Sequence, residues 1–508
     1  MGHPSSLLGR LAEHVRDRPD ATALVFGEER VSYAELDAMA GTALAGIDEL
    51  GLPDGTTVAV HAAKTPRTIA LLVACLRARL PILLPSAELG ADMVSTLLRN
   101  ADCGDMLAAE TPAQTADHRV HKIDCAVSGA TAGRSGARPA TSDGAADGDS
   151  DGGVALLLTT SGSTGVPKIV PLTVGAVDRF TDWAIAHFGI GQPTAVLNYA
   201  PLNFDLCLLD IWATLKAGGT AVLVETDRST NGRHLGDLVR ANGIGVIQSV
   251  PMFFRLLNDS WDGEPYHSVG HVVLTGDKTS AKLLSELPRM FPAARIWNLY
   301  GCTETNDSLL HEIAPSAGGD LPVGRPLPGV DALVVDGDGN VLSGPATGEL
   351  FVRTPFQTGG YLDPTGATAN RFVHLEGGSR PYFRSGDLVR RDADGVFTLL
   401  GRDDFQVKVR GFRVNLEEIE LIILEHDDVV EAAVIGIPDD IAGVRIHAVV
   451  RGRAPGAPNG LVLRDHCRRR LPRVAIPAAI QITQEPLPRT STGKVDRQEI
   501  RRTVLNRS

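Results

Sequence analysis

"TTVAVHAAKTPRTIALLVACLRARLPILLPS", residues 56–86, decides the fold. "TTVAVHAA" is an apolar run of strand length, "TPRTIALLVACLRARL" reads as an amphipathic helix, and "PILLPS" is a second short strand. The same alternation recurs from about residue 20 to 355, which predicts an α/β class built on largely parallel sheets with flanking helices. Beyond about residue 384 the texture changes: "GVFTLLGRDDFQVKVRGFRVNLEEIE" holds two strand patterns around "GRDD", then a helix, then "VVEAAVIGIPDD" and "RIHAVVRGR". The expected division is an N-terminal domain over 1–403 and a small mobile α+β domain over 404–508, joined at Asp404. One segment, 126–153, is Gly, Ala, Ser and Asp with almost nothing to bury, and reads as a disordered surface loop.

Composition excludes several functions. The chain has 508 residues, 43% of them hydrophobic, with no apolar run of membrane-spanning length. A formal charge of -12 argues against a nucleic-acid surface. Cys75, Cys103, Cys125, Cys207, Cys302 and Cys467 show no CxxC spacing, which argues against a zinc site or disulfide framework and points to a reducing cytoplasm. The start has no long apolar core after a basic region, so no secretory signal is expected, and "MGHPSS" fits a Gly2 acylation pattern without polybasic support. The basic cluster "RDHCRRRLPR", 464–473, reads either as a solvated helix face or as a docking patch for an acidic protein.

Working outward, "LLLTTSGSTGVPKIV", 156–170, is a hydrophobic run opening into glycines, hydroxyls and Lys168. Backbone amides and hydroxyls gathered this way suit a polyphosphate. Neither this stretch nor "STGKV" at 491–495 matches GxxxxGK[ST], and no GxGxxG sits between a strand and a helix, so kinase-type and nicotinamide fingerprints are absent. A surface turn remains the alternative for this stretch taken alone.

Other stretches resolve that ambiguity. "TTSGSTGVPK", "NLYGCTE" (298–304), "FRSGDL" (383–388), "GRDDFQVKVRGFRVNLEEIE" (401–420) and "TSTGKVDR" (490–497), with "VSYAEL", "GELFVRTP" and "GYLDPTGATANRF", occur in the order and spacing of the adenylate-forming superfamily. Over nearly its whole length the chain resembles the amino-acid adenylation enzymes of nonribosomal peptide synthesis, and is similar to prolyl- and D-alanyl-carrier-protein ligases. The resemblance implies ATP and Mg²⁺ as cofactors, activation of a small amino acid as its adenylate, and transfer to the phosphopantetheine thiol of a stand-alone carrier protein.

The roles carried over are as follows. Thr160, Ser161, Gly162, Ser163, Thr164, Gly165 and Lys168 would wrap the departing phosphates. Tyr300 and Gly301 would lie by adenine with Asn298 at its edge, Thr303 at the α-phosphate and Glu304 on Mg²⁺. Asp387 would accept the ribose hydroxyls with Arg402 assisting, and Lys494 would bridge the substrate carboxylate and the α-phosphate. Asp205, after an aromatic in "FDLCLLDIW", would pair with the substrate ammonium, or else merely cap a helix. Leu206, Leu209, Ser249, Val273, Thr275, Leu299, Asp307 and Ser308 would line the side-chain pocket, while Asp404 is the hinge and Lys408 and Gly411 border the pantetheine tunnel. Ile169, Ser385 and Cys302 depart from the usual pattern, as does the early "RARLPILLPS". Competing readings are an acyl-CoA synthetase for a small carboxylic acid, and a catalytically silent homologue acting as a scaffold.

Overall fold

The computed structural model describes residues 6–86, 89–110, 119–126, 152–160, 167–277, 279, 281–314, 321–362, 371–375, 380–402, 406–439, 443–454, 456–488, 495 and 497–505. The stretch at 56–86 forms the strand Val58–Val60, the helix Pro66–Arg77 and the short strand Ile82–Leu83, and the two strands pair parallel. Thr65 caps the helix by accepting from the Thr68 amide, and Pro66 sits where a missing N–H costs nothing. The expected amphipathic face is absent, because every residue from Ile69 to Cys75 is fully buried. A helix apolar on all sides belongs inside a large core, each such side chain contributing roughly 1.5–3 kcal/mol by leaving water.

Those strands belong to a six-stranded sheet that also holds Val154–Thr160, the strand leading into the glycine-rich stretch, paired antiparallel with Lys168–Thr173. A nine-stranded sheet lies beside it in the large N-terminal domain. Its centre is a parallel run, in spatial order Arg295–Cys302, His271–Thr275, Ile244–Ser249, Ala195–Asn198, Thr220–Leu223 and Thr22–Phe26. Asn306–Glu312 folds back antiparallel on Arg295–Cys302. A third sheet, antiparallel, contains Ala346–Arg353, Tyr382–Arg391 and Phe397–Arg402.

The C-terminal part holds the hairpin Gln406–Val409 with Phe412–Asn415, the helix Leu416–Leu424, and a mixed sheet of Val429–Asp439, Gly443–Gly452 and Ala479–Thr483 around its own apolar core. The α/β class and the large-plus-small organisation thus follow the sequence pattern. The boundary residue Asp404 and nearly all of 126–153 lie outside the described residues. No described helix is long and apolar enough to cross a membrane.

Candidate active site

Parallel strands end together, and in open α/β sheets the crevice beyond their carboxyl ends is where ligands bind. Here Asn198, Ser249, Thr275 and Cys302 are the last residues of such strands. Side chains alternate between faces along a strand, so register assigns each to a side. Val273 pairs with Gln248 and with Trp297, and Thr275 with Leu299. These residues face the core that also contains the Leu208–Ala213 segment, whereas Leu274 packs into the core behind the sheet. Ser249 pairs with Leu274 and falls on that rear side. The residue of this strand that shares the pocket face with Val273, Thr275 and Leu299 is therefore Gln248. A one-residue step along a strand separates the two faces, and sequence spacing alone did not fix it.

Asp205 and Leu206 lie in a turn ahead of Leu208–Ala213, which is a π-helix and buries Leu209 completely. Asp205 lies two residues ahead of the helical winding that begins at Cys207, and its carbonyl accepts from the Leu208 amide at 2.9 Å. It is half-buried, and burial pushes its carboxyl above the usual range, against the Thr303 hydroxyl, with the Glu304 charge adding to the rise and the Leu206 amide and Lys408 opposing it.

Behind this turn is a polar group that sequence reasoning missed. Asn198 donates from Nδ2 to Asp210 Oδ2 at 3.2 Å and to Cys207 Sγ at 3.4 Å. Lys64 Nζ donates to the carbonyls of Tyr199 at 2.8 Å and Asn198 at 3.5 Å. Burial lowers the Lys64 ammonium to about 8, against the nearby Cys207, Asp210 and Glu225. Burial raises Asp210 well above the carboxylate range, with Asn198 and Lys64 opposing and Asp307 adding to it. Asp210 stands in the quoted "FDLCLLDIW"; nothing in "HAAKTP" marks Lys64.

Asp307 sits opposite Gly301 across the Arg295–Cys302 and Asn306–Glu312 hairpin and is half-buried. Burial, then the Asp205 charge, raises its carboxyl well above the usual range. Ser308 is fully buried, its hydroxyl bonded to the Asn306 carbonyl and paired with Thr305 Oγ1, both at 3.1 Å. It secures the hairpin turn.

The residues expected around a nucleotide meet as well. The Tyr300 hydroxyl donates to Asp387 Oδ2, and both residues are buried. Ser385 accepts from the Asp387 amide at 3.0 Å and donates to the Leu350 carbonyl at 2.6 Å, so its hydroxyl ties Asp387 to the neighbouring strand. Arg402 pairs with Asp387 in the backbone register. Asn298 donates to the Pro322 carbonyl at 2.7 Å. Lys168 Nζ lies 4.8 Å from the centre of the Tyr361 ring. Thr160 Oγ1 is buried without a partner among the described residues. Ser161, Gly162, Ser163, Thr164, Gly165 and Lys494 lie outside the described residues.

Glu304 is 1% exposed and has both oxygens engaged. The Tyr361 hydroxyl donates to Oε1 at 2.6 Å, and Arg413 Nη1 lies 3.3 Å from Oε2. Burial opposes the charge, yet Arg413, Tyr361, backbone hydrogen bonding and Lys168 outweigh it and hold the carboxyl below its ordinary value. A metal cation does not fit on this carboxylate while Arg413 occupies it, and no cluster of metal-ligating side chains forms among the described residues. Arg413 brings the C-terminal hairpin into the site, in register with Lys408. Phe412 meets Phe204 edge-on with ring centres 5.0 Å apart. At the hairpin turn Gly411 has φ 85°, and a Cβ there would stand 2.4 Å from Val250 Cγ1, directly beyond the Ile244–Ser249 strand.

The comparisons with known proteins agree with this geometry. The AMP-binding enzyme family model matches residues 11–362, and that of the AMP-binding enzyme C-terminal domain matches 418–494. The chain is 26% identical over 514 residues to a D-alanine--D-alanyl carrier protein ligase of Bacillus licheniformis, covering 98% of this chain and 99% of that protein. It is 31% identical over 506 residues to the phenyloxazoline synthase MbtB of Mycobacterium sp. (strain MCS), where it spans 97% of this chain but 41% of the synthase. The solved o-succinylbenzoate CoA synthetase of Bacillus subtilis superposes with a TM-score of 0.82 at 22% identity, covering 97% of this chain and 98% of that one, a likeness of fold. The chain belongs to the AMP-binding enzymes, the adenylate-forming ligases.

Proposed function

We propose that the chain activates an amino acid with ATP and passes the aminoacyl group to the phosphopantetheine thiol of a carrier protein. The observation that carries this reading is Asp205, a half-buried carboxylate at the pocket face with the Thr303 hydroxyl beside it. A carboxylate placed there is costly unless a cation arrives to pair with it, and a substrate α-ammonium is such a cation. An acid without an amine has no use for it.

In the first half-reaction a carboxylate oxygen of the substrate bonds to the α-phosphorus, and the bond to the β-phosphate breaks to release pyrophosphate. Asp387 and Tyr300 would hold the nucleoside, with Asn298, Gly301, Thr303, Lys168 and the 160–165 stretch around its base and phosphates. Such chemistry is mostly positioning and charge neutralisation. Mg²⁺ on Glu304 would require the C-terminal hairpin to withdraw, and Lys494 would take the bridging role between the two anions. In the second half-reaction the thiol sulfur bonds to the acyl carbon, the bond to AMP breaks, and the docked hairpin with Lys408 and Gly411 borders the thiol's approach. Domain rotation about Asp404 would exchange the two arrangements.

Pyrophosphate exchange across a panel of amino acids and their amine-free analogues tests the reading. Amino acids should exchange and the analogues should not. Asp205→Asn should cost at least ~100-fold with the preferred amino acid, because one partner of a desolvated ion pair is removed. Exchange by an amine-free acid, equal in wild type and variant, would replace this reading with that of an acyl-CoA synthetase. Loading is then assayed with a phosphopantetheinylated carrier protein against free coenzyme A.

A further inference from the structure

The pocket holds more carboxyl groups than an α-ammonium can pair with, and burial holds Asp210 and Asp307 towards their neutral form until a cation meets them. Asp205, Asp210 and Asp307 influence one another in a chain, Asp205 acting on Asp307 and Asp307 on Asp210. Asp205 has the α-ammonium in the reading above, and it feels Lys408 from the docked hairpin. Asp210 feels Lys64, whose ammonium is bonded to two backbone carbonyls. Asp307 is left. Among the described residues no cation and no hydrogen-bond donor reaches its carboxylate.

A second observation concerns atoms rather than charges. Asn198 Oδ1, Asp210 Oδ1 and Gln248 Oε1 are buried and have no partner among the described residues. They are contiguous. Ile247 pairs with Leu197, so Gln248 and Asn198 are next to each other on the pocket face of the sheet, and Asn198 is bonded to Asp210. That bond also fixes the Asn198 amide, since only its NH₂ end can donate to a carboxylate, which leaves Oδ1 as the open atom. Asn198 Oδ1 and Gln248 Oε1 are acceptors, and Asp210 Oδ1 becomes one when its carboxyl ionises. Buried acceptors of this kind are normally satisfied, so a donor-rich group belongs against them.

The apolar walls are Val273 and Leu299 on the sheet and Leu206 and Leu209 from the facing segment. A side chain entering there passes methylenes between these walls before its tip reaches the acceptors. A proline or alanine side chain leaves every acceptor unmet. A hydroxyl supplies one donor and no charge. An ammonium supplies three donors and the missing positive charge.

We propose that the activated acid is an amino acid with a short side chain ending in a protonated amine, seated on Asp307 over Gln248, Asn198 and Asp210. This rests on the amino-acid reading and names its substrate class. Gln248, Asn198 and Asp210 are then specificity-determining residues alongside Asp307.

The experiment is pyrophosphate exchange with 2,3-diaminopropionate and 2,4-diaminobutyrate, in both enantiomers, each beside its neutral isostere 2-aminobutyrate or norvaline, and beside alanine, proline, serine and homoserine. The expected result is that one diamino acid exceeds its isostere in kcat/KM by at least ~10-fold, as a charge-assisted contact requires. Asp307→Asn should collapse that ratio, and Gln248→Leu should lower it. The wild-type panel decides even if a variant fails to fold. A neutral or hydroxyl amino acid equal to or better than both diamino acids overturns the proposal and leaves the amino-acid reading standing, with ordered water on the acceptors. Exchange confined to amine-free acids overturns both.

Discussion

Arg413, from the C-terminal hairpin, reaches across to within 3.3 Å of Glu304, the carboxylate that a cation would use. The pair is desolvated, with side-chain exposures of 18% and 2%. In the proposed reading Glu304 answers either to the hairpin or to a metal, and the two compete. Arg413→Gln should lower the Mg²⁺ concentration that half-saturates pyrophosphate exchange by at least ~10-fold, the worth of a charged hydrogen bond at roughly 1.5–3 kcal/mol. Carrier loading should slow in the same variant. An unchanged Mg²⁺ titration would show that the contact does not govern cation access.

Gly411 offers a separate handle on the docked hairpin. Its left-handed backbone and the close approach of Val250 leave no room for a side chain. Gly411→Ala should destabilise docking by ~1–3 kcal/mol. Exchange should persist while transfer of preformed aminoacyl-adenylate to the thiol falls at least ~5-fold. Equal losses in both half-reactions would place the hairpin's role elsewhere.

Glu418 makes the fold pH-sensitive. Burial raises its carboxyl to about 8 from an ordinary 4.5, with Lys168 opposing. Below 4.5 the group is protonated both folded and unfolded, and its contribution is whole. As pH climbs towards 8 the unfolded chain sheds the proton while the folded chain keeps it, so stability falls across that window. Glu418→Gln should remove this slope, gaining several kcal/mol at pH 8 and little at pH 4.5. Parallel Tm-versus-pH curves for variant and wild type would contradict the assignment.

The Tyr300 hydroxyl and Asp387 separate nucleoside binding from loop order. Tyr300→Phe removes one hydrogen bond and should change ATP affinity by no more than ~1 kcal/mol. Asp387→Ala removes the carboxylate proposed to hold both ribose hydroxyls and should raise KM for ATP by at least ~10-fold. If the tyrosine variant is the worse of the two, the ring rather than the carboxylate carries nucleoside binding.

The parts of this fold legible in the sequence are those written as periodicity or as contiguous motif. Strand–helix–strand alternation from residue 56 gave the parallel sheets, and "NLYGCTE" and "FRSGDL" brought Tyr300 and Asp387 to one place. Properties that depend on the third dimension were not legible. The helix Pro66–Arg77 reads as amphipathic because Arg67 and Arg77 mark its ends, yet the turns between them are enclosed. Ser249 and Gln248 are neighbours in the chain and opposites in the sheet, a distinction that only pairing with Val273 and Leu274 reveals. Lys64 carries no motif, and its proximity to Asp210 spans more than a hundred residues of chain. Arg413 was visible in "KVRGFR", but its partner Glu304 lies 109 positions away.

The wide turn at Leu208–Ala213 has a consequence for how such a pocket changes over generations. A π-turn accommodates one residue more than an α-turn, so losing a single codon there restores ordinary helical winding. The flanking residues keep their facing, because the residue lost is the one the wide turn absorbs, and the change is confined to the Leu208–Ala213 segment. The side chains of that segment would repack against the pocket without any wall residue of the sheet being replaced. Lineages of this chain thus have a route to a new substrate by length change in one helix, alongside the slower route of exchanging pocket side chains one at a time.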